Sequence, residues 1–160
     1  MSVAIRPATP GDAALIARLL HELAAQTGHA ARPQVTADDV RAHGPGGREH
    51  FRGLVAEQDD QPVGICLFST TFSGWRGRPG YFVTDLFVDA GARGGGVGRR
   101  LLAAAGRQAL AEGCSYIRLD VDPANAAAIG FYRRLGFAAD AHQQPMFLER
   151  PEIEALLARR

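Results

Sequence analysis

The feature that most constrains this chain is the run Leu86-Phe87-Val88-Asp89-Ala90-Gly91-Ala92-Arg93-Gly94-Gly95-Gly96-Val97-Gly98-Arg99-Arg100-Leu101-Leu102. An apolar, strand-like stretch gives way to glycines at 94, 95, 96 and 98, then to residues with helical spacing. The pattern predicts a strand, a tight turn and a helix N-terminus. Glycines let successive backbone N–H groups approach a phosphate without obstruction by Cβ, and the helix end adds a partial positive charge. The turn therefore reads as an anion site. Two other glycine-rich signatures are excluded. A dinucleotide fingerprint beginning at Gly94 needs a glycine where Arg99 stands, and a phosphate loop needs Gly-Lys-Ser/Thr. All 18 basic residues are arginine, so every mechanism that requires a lysine, a Schiff base included, is excluded too.

Around this turn the chain reads as one α/β domain spanning 1–160, of ordinary length for a single core. Val3 to Arg6 alternates as a strand, and Thr9 to Asp12 supplies helix-start chemistry for a helix carrying Leu15, Ile16, Leu19, Leu20 and Leu23 and closing at Gly28. Thr36, Asp38 and Asp39 start a short second helix through Arg41, followed by a loop from Gly44 to Gly47. Phe51–Glu57 and Val63–Thr70 read as strands joined by the polar turn Gln58-Asp59-Asp60-Gln61, and Tyr81–Val88 as a third. The helix after the glycine turn runs from Arg99 to Ala111, and Tyr116–Val121 is a strand in βαβ order with the one before it. Pro123 starts a helix to Leu135, with Asn125, Ile129 and Tyr132 on one stripe. A final strand at Pro145–Glu149 and a short helix from Pro151 complete the expectation.

Composition narrows the partners. The formal charge is +1, so no global field draws nucleic acid or an anionic membrane, and neither is expected as a partner. Cys66 and Cys114 have no CxxC spacing, which predicts buried thiols in a reduced cytoplasmic setting. No signal peptide and no apolar run long enough for a membrane span are expected. His21, His29, His43, His50 and His142 show no metal-ligand spacing, and no metal is expected.

Arg93, Gly96 and Gly98 form R-x-x-G-x-G, and Asn125, Ala128, Phe131, Tyr132, Gly136 and Phe137 form N-x-x-A-x-x-F-Y-x-x-x-G-F. With both elements in place the sequence resembles the GNAT superfamily of N-acetyltransferases. The resemblance implies a mixed, mostly antiparallel sheet that splays at the cofactor site and is flanked by helices. It implies acetyl-coenzyme A as cofactor, with its pyrophosphate on Arg93, Gly94, Gly95, Gly96, Val97 and Gly98. The pantetheine arm would lie along the backbone of Leu86, Phe87 and Val88, with Asn125 orienting it. Arg99 or Arg100, unfavourable at a helix start without an anion, would meet a cofactor phosphate. Tyr132 would protonate the leaving thiolate, with plain packing of its ring as the alternative.

A closer resemblance, to the diamine (spermidine/spermine and thialysine) acetyltransferase branch, rests on the N-terminal RPATPGDAALIARLLHELA and on Phe72 to Val88. That branch carries Glu-Asp before its Leu-Phe-Val strand, where this chain has Thr84-Asp85, and further acidic residues where Glu22 is followed by Ala25, Gln26 and Thr27. Glu22, Thr84 and Trp75 are the candidate substrate contacts, although a loop tryptophan can equally cap a core. Strand alternation puts Asp85 on the opposite face from Thr84 and Leu86. It reads either as a structural carboxylate or as the catalytic base, a role otherwise left to water or to an amine that binds neutral. The function implied is N-acetylation of a small primary amine, polyamine or amino-acid-like, by a homodimer whose apolar C-terminal residues face a partner. A catalytically silent coenzyme A sensor and a protein N-terminal acetyltransferase are the alternatives.

Overall fold

The computed structural model describes residues 2–29, 31 and 34–158. They fall into two compact units, Met1–Asn125 and Ala126–Arg160, each with its own contacts.

The first unit holds a five-stranded sheet in the order β1-β2-β3-β4-β5: β1 Val3–Pro7, β2 Arg52–Gln58, β3 Gln61–Ser73, β4 Arg78–Val88 and β5 Ile117–Leu119. The first four strands are antiparallel neighbours, and β5 pairs parallel to β4. The turn between β2 and β3 places Asp59 and Asp60 at φ of 52° and 60°. Two successive left-handed residues match the strand twist in a two-residue hairpin, and aspartate tolerates that region better than most side chains.

Helix α1 (Ala13–Gln26) and α2 (Ala37–His43) belong to one face, where Ile16, Leu19, Val40, Val55, Ile65, Leu67 and Phe87 form a core cluster. The apolar stripe predicted for α1 is the one that packs: Ile16 and Leu19 are buried, and Leu15, Leu20 and Leu23 lie against the cluster. Its start is fixed by Asp12, which accepts from the backbone N–H and hydroxyl of Thr9 and takes a two-pronged bond from Arg6 at 2.9 Å on each oxygen. Arg6 also donates to Glu57 at 2.7 Å, so one guanidinium on β1 joins β2 to the beginning of α1. Thr36 caps α2, accepting from the Asp39 N–H at 3.2 Å while the Asp39 carboxylate accepts from the Thr36 N–H and hydroxyl at 2.8 and 2.7 Å.

Helix α3 (Val97–Ala111) covers the other face with Val97, Leu101, Leu102, Ala105 and Ala109. Its C-terminal end is tied to the sheet through Glu112. That carboxylate takes both prongs of Arg52 at 2.7 and 2.8 Å and the Tyr81 hydroxyl at 2.6 Å. Arg52 holds the Glu112 carboxyl down at about 2, assisted by Tyr81. Burial pushes the Tyr81 hydroxyl up to about 12. Both cysteines are buried, and burial raises the Cys66 thiol to about 12, so it is inert at neutral pH.

The second unit contains α4 (Ala126–Arg134) and α5 (Arg150–Ala158). Helix α4 starts three residues later than Pro123 suggested. Asp122 folds the preceding segment into a turn, its side chain accepting from the Ala124 N–H at 2.8 Å and its carbonyl from the Asn125 N–H at 2.9 Å. The strand expected at Pro145–Glu149 is not formed. The described residues of this unit include no strand to pair with it, and Met146 and Phe147 are exposed. Arg159 and Arg160, part of the expected C-terminal helix, lie outside the described residues.

Candidate active site

The glycine turn has the geometry that an anion site needs. Asp89 donates to the Val63 carbonyl at 2.9 Å as β4 ends, a 3-10 turn covers Ala90–Ala92, and Gly94 and Gly96 take φ of 82° and 76° before α3 begins at Val97. No side chain caps the N-terminus of α3 among the described residues. A Cβ built at Gly94 or Gly96 meets no heavy atom within 4 Å. The first amides of a fifteen-residue helix therefore face open space at the end where the dipole is positive. These residues fit a pyrophosphate.

Arg93 enters the turn differently from its glycine neighbours. Its Nε donates to the Val88 carbonyl at 2.9 Å, and its guanidinium donates to the Gln26 side chain of α1. The side chain braces the turn against β4 and α1, which leaves the backbone as this segment's anion-facing surface. Arg99 is exposed and, with Arg100 and Arg107, lines a cleft of about 390 Å³ against Val3 and Ile5 of β1.

The sheet opens beside this turn. β5 pairs only with Tyr81, Phe82 and Val83, so from Thr84 to Val88 the corresponding edge of β4 has no strand partner among the described residues. The backbone of Leu86, Phe87 and Val88 is thus available for an extended ligand to continue the ladder, which is where the pantetheine arm was expected. Asn125, half-buried, is the last residue of this unit.

A bulge in β4 sets the chemistry on the other side of the strand. Leu67 pairs with Asp85 and Phe68 with Val83, which leaves Thr84 without a partner. Its hydroxyl donates to the Leu67 carbonyl at 3.4 Å. Simple alternation, which separates Thr84 from Asp85, fails here because the extra residue interrupts the pleat. Both residues line one cleft of about 380 Å³. Leu20, Val35, Val40, Phe51 and Leu67 form its apolar wall, and Asp39, His43, His50 and Ser69 complete the lining. Burial raises the Asp85 carboxyl above its ordinary range, with the Thr84 hydroxyl pulling partly the other way. Asp85 is therefore a stronger proton acceptor than an exposed aspartate.

Asp39, His43 and His50 gave no functional signal in the sequence. Asp39 read as helix-start chemistry, and the histidines are brought together by the Gly44–Gly47 loop. Gly47 donates to the Gly44 carbonyl at 3.0 Å and His50 to the His43 carbonyl at 2.8 Å. The imidazoles stack at 5.1 Å, with their Nδ1 atoms 3.1 Å apart.

The remaining candidates fall outside this cleft's lining. Glu22 pairs with Arg18 and adds to the burial that raises the Asp89 carboxyl. Trp75 stands 98% exposed at the tip of the β3–β4 hairpin, so it does not cap the core. In the second unit, the Tyr132 ring lies edge-on to Phe131 and Phe137, at 5.3 and 5.6 Å.

The open turn, the unpaired β4 edge and the acid-bearing cleft make up the candidate site, and comparison with known proteins gives the chain a family. Residues 16–137 match the acetyltransferase (GNAT) family, and the chain belongs to it. A thialysine N-epsilon-acetyltransferase of Sus scrofa is 34% identical over 143 residues, 84% of each chain. The spermidine/spermine N(1)-acetyltransferase-like protein 1 of Homo sapiens is 30% identical over 160 residues, which is 96% of this chain and 23% of that protein. An integron cassette protein from the mobile metagenome of V. cholerae shares the fold, with a TM-score of 0.80 over 99% of both chains at 19% identity. The protein is accordingly an acyltransferase, and acetyl-coenzyme A is its acyl donor.

Proposed function

We propose that the protein acetylates a primary amine of a small molecule, polyamine or amino-acid-like, with the acceptor seated in the cleft beside β4. The observation that carries this reading is the bulge at Thr84, which turns Asp85 into an apolar cleft beside the strand edge suited to the cofactor. The relatives support the acceptor class, since thialysine and spermidine or spermine, in their names, are small amines.

When bound, acetyl-coenzyme A supplies a thioester whose carbonyl carbon gains the acceptor nitrogen as its carbon–sulfur bond breaks. The amide N–H groups of Gly94 to Gly98 would hold the anionic end, and Leu86 to Val88 would offer backbone partners to the extended arm. An amine arrives as an ammonium and must lose a proton to expose its lone pair. The Asp85 carboxylate takes that proton, and its raised affinity narrows the gap to the ammonium. By the resemblance of the second sequence element, the Tyr132 hydroxyl would be the proton donor to the leaving thiolate.

The test is thiol release with a panel of amines. Asp85→Asn and Tyr132→Phe should each lower kcat by about 10²–10⁴-fold with the acetyl-coenzyme A dissociation constant nearly unchanged. Wild-type kcat in either variant, with chemistry limiting the rate, removes that residue from the mechanism. Binding of acetyl-coenzyme A without thiol release on any amine favours a sensor instead.

Two further features complete the reading. The protein is proposed to be a homodimer, supported by the exposure of Met146, Phe147, Leu148, Ile153, Leu156 and Leu157 in the second unit. It is proposed to act in the cytoplasm, supported by two buried free cysteines. No helix among the described residues is long and apolar enough to cross a membrane.

A further inference from the structure

We infer that the acceptor cleft takes a monoamine carried on an apolar body and discriminates against polyamines. This rests on the proposed seating of the acceptor beside Asp85 and, of the two acceptor classes named there, sets the polyamines aside.

The wall of the cleft is continuous with the hydrophobic core. Val40 and Leu67 are each 2% exposed and belong to the same cluster as Ile16 and Phe87. Leu20, Val35 and Phe51 pack on that cluster and line the cleft as well. An acceptor's methylene or aromatic body meets carbon on this side, where each buried CH₂ is worth about 0.8 kcal/mol.

Carboxylates free to meet a second ammonium are scarce. Asp85 serves the reacting nitrogen. Asp39, the other acid in the lining, spends Oδ2 on two bonds from Thr36, which hold its carboxyl below the ordinary range and cap α2. Its neighbour Asp38 pairs with Arg41, and Glu22 pairs with Arg18. The two imidazoles at the cleft turn their Nδ1 atoms toward each other, so neither offers that lone pair to a ligand. A second ammonium would exchange water for leucine, valine and phenylalanine, with the helix-capping Asp39 as the one further carboxylate among the lining residues, a loss of the kind that costs kilocalories for a polar group and more for a charge.

Hexylamine and 1,5-diaminopentane provide the decisive comparison, because they have the same number of heavy atoms and differ only in a terminal methyl or ammonium. Their dissociation constants are measured by calorimetry on the coenzyme A-saturated protein, and kcat/KM with acetyl-coenzyme A. Hexylamine should bind at least about tenfold more tightly and show the larger kcat/KM. Equal or tighter binding of the diamine overturns the inference, as does failure of hexylamine to bind. Val35→Glu adds a carboxylate to a half-buried wall position outside the helices and strands, and should narrow or reverse the preference. An unchanged ratio in folded Val35→Glu protein also counts against the inference. Absence of turnover with both amines counts against the seating of the reacting nitrogen beside Asp85, while the two dissociation constants still decide what the cleft prefers.

Discussion

The assignment of the glycine turn is best tested with a matched pair of substitutions at the two ends of α3. Gly96 precedes the helix at φ 76°, and Gly113 follows it at φ 80°; at both positions a Cβ meets no atom within 4 Å. Alanine at either site therefore introduces the same backbone strain and no clash, about 1–2 kcal/mol of stability for one left-handed non-glycine residue. Both variants should lose the same few degrees of Tm. Only Gly96→Ala places a methyl group in the space facing the uncapped amides of α3. Disturbing one amide-to-phosphate bond costs about 1.5–3 kcal/mol, which is roughly 10–150-fold in affinity. Calorimetric titration with coenzyme A should show that loss in Gly96→Ala and near wild-type affinity in Gly113→Ala. Equal affinities in the two variants would refute the placement of the pyrophosphate at this turn, because strain would then account for everything observed.

Two other expectations follow from the framework of the fold. Arg6, with the Thr9 donors assisting and burial opposing, holds the Asp12 carboxyl at about 2 instead of 3.8, so Asp12 contributes about 2 kcal/mol of stability above pH 4 that is lost as pH falls through 2. Urea unfolding of Asp12→Asn should show that deficit at pH 7 and a smaller one at pH 2.5; an equal deficit at both would place the effect elsewhere. Light scattering at micromolar concentration should give a dimer mass near twice 17.1 kDa, and a monomer would remove the role given to the apolar C-terminal residues.

Most of the scaffold was readable because its signals are local. The stripe on α1, the Asp-Asp hairpin, the Thr36 cap and the glycine turn each depend on residues within a few positions of one another, and each forms where expected. The failures share a different cause. Residues 145–149 have strand-like composition, but a strand exists only with a neighbour to accept its hydrogen bonds. Pro123 suits a helix start, yet Asp122 captures the same backbone N–H groups for a turn. The bulge at Thr84 has no signature in Thr-Asp and arises from the register between β3 and β4. The pairing of His43 with His50 likewise depends on how the intervening loop closes, and their separation of seven residues matches no ligand spacing.

The extra residue in β4 also separates two requirements that a regular strand would force to vary together. In an uninterrupted pleat, Asp85 would share a face with Val83 and Tyr81, the latter stacked on Phe68 and bonded to Glu112 on the α3 side. Any change of acid would then disturb the packing under that helix. With Thr84 taking up one position, Val83 and Tyr81 stay on the face beneath α3 while Asp85 turns to the cleft. Straightening the strand while keeping Thr84 would turn the Asp85 carboxylate toward the α3 face. Under the function proposed above, substitutions around the cleft would alter which amine is accepted without moving the backbone offered to the donor, so the strand could keep one donor while its descendants change acceptors.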